Sequence, residues 1–185
     1  MPDGNGPLLE LRGVCKEFAL PGRRVEALRE ANLRVSKGEF VCLIGPSGCG
    51  KSTLLRIVAG FETTTRGQAL MSGAPIAGPG PERGMVFQDY GLFPWLTVRR
   101  NIAFGPISRR RPKAEVESTV DRFLKLVGLQ RFADAYPHQL SGGMKQRVAI
   151  ARVLANDAKV VLMDEPEIDR LLTEVGRDER RWPTE

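Results

Sequence analysis

The chain has 185 residues, 42% of them hydrophobic and 27% charged, with 28 basic side chains against 22 acidic and a net charge of +6. Those proportions belong to a folded chain of about one domain and exclude wholesale disorder, a collagen-like repeat and a disulfide-dense scaffold. The longest apolar runs, at 40–44 and 160–163, fall far short of the roughly 20 residues a bilayer span requires, and the start MPDGNGPLLELRG has no basic segment ahead of an apolar one, so no signal peptide is expected.

Residues 8–40 alternate in short stretches, Leu9 and Leu11 against Glu10 and Arg12, then Leu33 and Val35 against Asn32 and Arg34. Period two, with turn residues between (Pro21, Gly22; Ser36, Lys37, Gly38), predicts antiparallel strands with one wet face. Cys15, Cys42 and Cys49 have no metal-binding spacing and cannot all pair, which fits a reducing, cytoplasmic compartment. Residues 40–44 are apolar at every position and predict a strand covered on both faces. A glycine-rich hinge follows, and apolar residues at 54, 55, 57 and 58 predict a helix over 52–59 packed on a core. Residues 72–84, SGAPIAGPGPERG, are too rich in Gly and Pro for regular structure and predict an exposed loop.

A short strand is expected at 85–88, ending on Gln88. The arginines at 109–111 precede Pro112 and read as solvated surface. Val116, Val120, Phe123, Leu124 and Val127 recur at helical spacing over 113–127, and Gly128 stops the run. Ser141 is an N-cap for a second helix reaching about Ala155, broken by Asn156 and Asp157. Residues 160–163 form another all-apolar strand with Asp164 at its end. Strands alternating with helices, and polar residues gathered at strand ends, predict an α/β sheet with a helical insertion. From Glu167 onward the tail holds six acids and four arginines, a net −2 against +8 for the rest. The basic body lacks zinc-finger spacing and aromatic stacking signatures, so its charge does not point to nucleic acid.

The chemistry concentrates at residues 45–52, GPSGCGKS, a full match to G-x-x-x-x-G-K-[ST] placed between an apolar run and a helix. Glycines let the backbone amides of Gly45, Pro46's neighbours Ser47 and Gly48, Cys49, Gly50 and Thr53 turn toward a triphosphate, and the helix start presents its positive dipole end. Lys51 would reach the β and γ phosphates and the Ser52 hydroxyl would ligate Mg²⁺. Asp164 and Glu165 follow a strand downstream: the first is placed to hold Mg²⁺ through water, the second to orient or deprotonate an attacking water. Cys49 reads either as a thiolate favoured by Lys51 and the helix start or as a small residue that fits.

Residues 140–144, LSGGM, run into KQRVAIARVLA, and here the sequence resembles the ATP-binding subunit of ABC transporters, whose signature is LSGGQ. The resemblance implies a P-loop ATPase core with an antiparallel β subdomain and a helical insertion at about 89–155. It implies that Ser141, Gly142 and Gly143 contact the γ-phosphate of ATP bound on a sister subunit, with Met144 where glutamine is usual. It implies that Gln88, in MVFQDY, contacts Mg²⁺ and the attacking water. Phe18 is similar to the aromatic that stacks on adenine, and fits a core residue nearly as well. GLFPWLTVRRNIAFG resembles the nitrate, sulfonate and taurine importer branch. The implied partners are a second copy, integral membrane permease subunits and, indirectly, a periplasmic or extracellular solute-binding protein, at the cytoplasmic face of the membrane, with no role for nucleic acid.

After Pro166 the resemblance stops. EIDRLLTEVGRDERRWPTE lacks the Ala-Leu-Asp element and the switch histidine of that family. His138, the only histidine, precedes the signature and is a loop or helix-entry residue. Residues 1–166 are thus expected to form a C-terminally incomplete cassette and 167–185 a divergent charged tail, through truncation or frameshift. An amphipathic helix carrying Leu171, Leu172 and Val175 is the other reading of the tail. In the resembling family the switch-histidine strand lies between the phosphate-loop strand and the Asp164 strand. Losing it leaves unpaired backbone, which predicts a marginal, aggregation-prone fold without efficient hydrolysis.

Overall fold

The computed structural model describes residues 6–164. They divide into two compact units, the first ending at Arg83 and the second beginning at Gly84.

The first unit is built on a hairpin. Strand β1 (Leu9–Leu20) pairs antiparallel with β2 (Arg23–Val35) around the Pro21–Gly22 turn, from Leu9 opposite Val35 to Leu20 opposite Arg23. Strand β3 (Arg66–Met71) adds to the other edge of β1, and β4 (Ala74–Pro75) to β3, giving the order β2-β1-β3-β4. Leu9, Leu11, Val14 and Cys15 are buried, as the alternation requires. Glu10 is buried too, because Arg12 and Arg34 reach over and pair with it at 2.6 and 2.9 Å. A bulge after Leu11 places Gly13 at φ 55, and the Asn32 side chain accepts its amide at 2.8 Å. Helix α1 (Lys51–Ala59) buries Ile57, Val58 and Ala59 and ends on Gly60 in the left-handed region.

The second unit is mainly helical. Helix α2 (Val98–Ser108) is capped by Thr97, whose side chain accepts the Arg100 amide. Helix α3 (Lys113–Leu126) buries Val116, Val120, Phe123 and Leu124, and Gly128 (φ 68) ends it with the Leu129 amide bonded to the Leu124 carbonyl. Helix α4 (Gly142–Leu154) starts at Ser141, whose side chain accepts the Met144 amide. Val98, Ile102, Val120, Leu124, Val148 and Ala151 meet in one core. Strands β5 (Arg83–Val86) and β6 (Val160–Met163) form a two-stranded sheet over Ala149 and Val153. His138 lies in the 3₁₀ turn Pro137–Gln139, stacked on Tyr136.

Several sequence expectations change. Residues 40–44 form no strand: Phe40 is 83% and Ile44 92% exposed. A fully apolar strand persists only where neighbours take its backbone groups, and none pairs with this run among the described residues. The loop at 72–84 contains the two-residue strand β4, because Ser72 and Gly73, both at positive φ, make a tight turn that folds Ala74 and Pro75 back onto Met71 and Leu70. The strand expected to end on Gln88 ends at Val86, since the Tyr90 amide closes a turn on the Phe87 carbonyl. The arginine run is not merely solvated: Arg109 donates to the Asn156 carbonyl, and Arg111 pairs with Glu115 and Asp157. Strand β3 and helix α2 carry no expectation from the sequence. Glu165, the Asp169 position and the Leu171, Leu172 and Val175 face lie outside the described residues.

Candidate functional site: a phosphate loop and a capped helix

In the first unit, residues 45–50 follow the irregular run at 40–44 as largely exposed backbone and enter α1. Gly48 (φ 80) and Gly50 (φ 98) take left-handed conformations open to glycine at little cost. A Cβ on Gly50 would collide with the Ala27 carbonyl and stand 2.8 Å from the Leu28 side chain, so β2 presses against the foot of the loop. Gly45 is constrained differently: its Cβ would stand 2.8 Å from Cys49 Sγ. Cys49 bonds the Pro46 carbonyl through its amide at 3.3 Å, which rounds the loop around Ser47.

Lys51 Nζ donates to the Gly45 and Pro46 carbonyls at 2.8 and 3.0 Å and lies 3.9 Å from Cys49 Sγ. Its ammonium therefore sits at the rim of the loop it closes. Gly50 supplies no side chain at the N-cap of α1, so that position makes no side-chain capping bond. That donor set suits a polyphosphate: an ammonium, a helix start with no acidic residue in its first turn, and glycine backbone that lets an anion approach. Ser52 and Thr53 follow in the first turn, half-buried. Phe18 is half-buried near the hairpin turn, with Lys16 Nζ 4.9 Å from its ring centre. Lys16 in turn pairs with Glu62 at 2.7 Å.

The second unit gathers the other candidates at one end of its sheet. The Asp164 amide bonds the Val86 carbonyl at 3.1 Å, so β5 and β6 finish side by side with Gln88 and Asp164 just beyond them. Gln88 is exposed and Asp164 half-buried. Their carboxylate and amide oxygens are the hard donors Mg²⁺ prefers. Ser141 and Gly142 are exposed at the start of α4, which offers a second anion-attracting helix end.

Three residues passed over in the sequence hold these pieces in place. Asn101, fully buried, accepts the Phe93 amide through Oδ1 at 2.9 Å and donates to the carbonyls of Phe93, Leu96 and Thr97. Tyr90 places its hydroxyl 3.1 Å from where a Cβ of Gly142 would stand. Arg152 donates to the Gly91 carbonyl at 2.6 Å, and burial pulls its guanidinium below the usual arginine value. An asparagine four residues past the Thr97 cap was the available sign of the first; the other two have no local signature.

A glycine-rich phosphate loop feeding a helix, with a second helix opening on Ser-Gly-Gly, defines a P-loop nucleotide-binding cassette. A family model described as ABC transporter matches residues 28–167, more than half of the chain, and the chain belongs to that family. It is 51% identical over 159 residues to the taurine import ATP-binding protein TauB of Roseobacter denitrificans, covering 85% of this chain and 59% of that protein. It is 53% identical over 163 residues to the nitrate import ATP-binding protein NrtC of Synechocystis, covering 86% of this chain and 24% of that one. The chain thus spans less than two thirds of the length of these relatives. Its fold is similar to the dimeric structure of MJ0796, a bacterial ABC transporter cassette (TM-score 0.81, 33% identity, 91% of this chain and 78% of that one). A post-hydrolysis state of MJ0796 bound to ADP and Pi matches at TM-score 0.78 and 35% identity, over 86% and 74% of the two chains.

Proposed function

We propose that the chain is the ATP-binding subunit of an ABC-type importer for nitrate, sulfonate or taurine-like solutes. The observation that carries this is the phosphate loop: Lys51 at its rim, left-handed Gly48 and Gly50, and a helix start whose N-cap is a glycine. Lys51 and the loop from Gly45 to Thr53 would hold the phosphates of ATP, with Phe18 against the adenine. Ser52, Gln88 and Asp164 would hold Mg²⁺, which when bound offsets phosphate charge. Glu165 would activate water. Two copies would sandwich two nucleotides, each lending Ser141, Gly142 and Gly143 to the other's site. The dimeric cassettes among the similar structures support that arrangement. The import proteins among the relatives support permease subunits as partners, a solute-binding protein beyond them, and a place on the cytoplasmic face of the membrane. Among the described residues no helix is long and apolar enough to cross a bilayer. In this reading residues 1–166 form the cassette, with a helical insertion at about 89–155, and 167–185 an appended tail.

A second reading, nucleotide binding without transport, is favoured by the run at 40–44, which pairs with no strand among the described residues and feeds directly into the loop. Calorimetric titration with Mg-ATP tests both readings. Wild-type chain should bind, and Lys51→Ala should bind about a hundredfold more weakly, since charge-assisted hydrogen bonds contribute about 1.5–3 kcal/mol each. Absence of heat with wild type overturns both. Binding with no phosphate release above a Glu165→Gln control selects the second.

A further inference from the structure

The turn that carries Gln88 is an unusual piece of backbone. Tyr90 and Gly91 are successive residues at positive φ, 64 and 54. For tyrosine the left-handed region costs about 1–2 kcal/mol, so surrounding contacts must hold the turn. Two of those contacts come from α4. Arg152 Nη1 donates to the Gly91 carbonyl at 2.6 Å, and the same guanidinium lies over the Phe93 ring at 5.2 Å, within cation–π range. Near the opposite end of α4, the Tyr90 hydroxyl crowds Gly142. Positions 142 and 152 are roughly 15 Å apart along a helix, so the turn lies against α4 at two well-separated points, bonded at the second. A guanidinium suits this double contact, because its planar fork stacks on an aromatic face while its edge bonds a carbonyl, which an ammonium cannot reproduce.

We propose that Arg152 is a positioning residue that locks the Gln88 turn to α4, so that Gln88 and the Ser141 helix start are carried as one body. The nucleotide roles of Gln88 and Ser141 are those of the proposed function, on which this inference rests. Through Arg152, a displacement of α4 is passed to the turn that carries Gln88.

Amide hydrogen exchange of the full chain without nucleotide tests the lock directly. In Arg152→Gln, exchange over 88–93 should rise about tenfold while the buried face of α3 stays unchanged, the pattern of a local opening. Arg152→Lys should fall between wild type and Arg152→Gln. Phe93→Leu, which keeps the carbonyl bond and drops the stack, should raise exchange about two- to threefold. Unchanged exchange over 88–93, or equal acceleration in α3, overturns the proposal. In an ATPase assay, Arg152→Gln should lower kcat about tenfold with KM for ATP within twofold, the split expected when only a transition-state interaction is lost. A faster-exchanging turn with unaltered kcat overturns the positioning role. Failure of wild type to bind Mg-ATP counts against the nucleotide reading alone, since exchange reads the lock in its absence.

Discussion

The phosphate loop of the first unit and the Gln88 turn of the second are both short irregular segments that leave an apolar run, yet they are held in different ways. The Gln88 turn and the 93–97 segment after it are tied down by side chains from neighbouring helices, Arg152 from α4 and Asn101 from α2. The phosphate loop is braced at its foot by Ala27 and Leu28 and closed by its own lysine, while its outer residues from Gly45 to Cys49 are exposed. Backbone that must close around a ligand is best left accessible to it, whereas a turn that must place one side chain is best fixed by the protein itself.

The sharpest way to break that contrast is to remove a tie from the second unit. Asn101→Leu strips four hydrogen bonds from a fully buried site and leaves the Phe93 amide and three carbonyls without that partner. Unpaired buried groups cost about 1–3 kcal/mol each, and with partial rehydration the expected loss is about 2–4 kcal/mol. Urea denaturation followed by a probe in α2 or α3 measures it. A loss under about 0.5 kcal/mol would mean that the segment is held by something other than Asn101.

How much of this was legible in the sequence follows the same division. The hairpin, α1, α3 and α4 come from periodicity and caps that act over a few residues, so Pro21–Gly22, Gly128 and Ser141 mark them well. The P-loop was equally legible, because its chemistry is written in consecutive residues. Arg152 and Asn101 were not: each acts on backbone far enough away, or through enough bonds at once, that only the folded unit shows the pairing. Residues 40–44 failed for a related reason. An all-apolar run says that a strand could be buried there, but pairing depends on neighbours that the run itself does not encode.

The first unit offers a pH test of its own bracing. Arg12 first, then Arg34, hold the Glu10 carboxyl below the usual glutamate value of 4.5. A carboxyl with a lowered folded value stabilises the fold above its unfolded value, and the contribution disappears as acid titrates it through the lower one. The difference in denaturation midpoint between wild type and Glu10→Gln should therefore be widest near neutrality and close as pH falls below 4.5. Both arginines are largely exposed, so added salt should narrow the difference as well. A difference that persists unchanged into acid would show that Glu10 acts through packing rather than charge.

The smallest expected effect is the most discriminating for the loop. Were residues 40–44 a covered strand, Phe40→Ser and Ile44→Ser would each empty a core position at a cost of about 2–5 kcal/mol. With these side chains 83% and 92% exposed, each change removes little buried area and should shift stability by no more than about 0.5 kcal/mol. The double variant should also aggregate less than wild type, since an unpaired apolar run is a template for intermolecular pairing. Light scattering and urea denaturation on the same samples read both. A large loss of stability would mean that the run is covered in solution, and then the contrast between an open loop and a fixed turn would fail at its first term, because the strand leading into the loop would be as firmly held as Arg152 holds the turn.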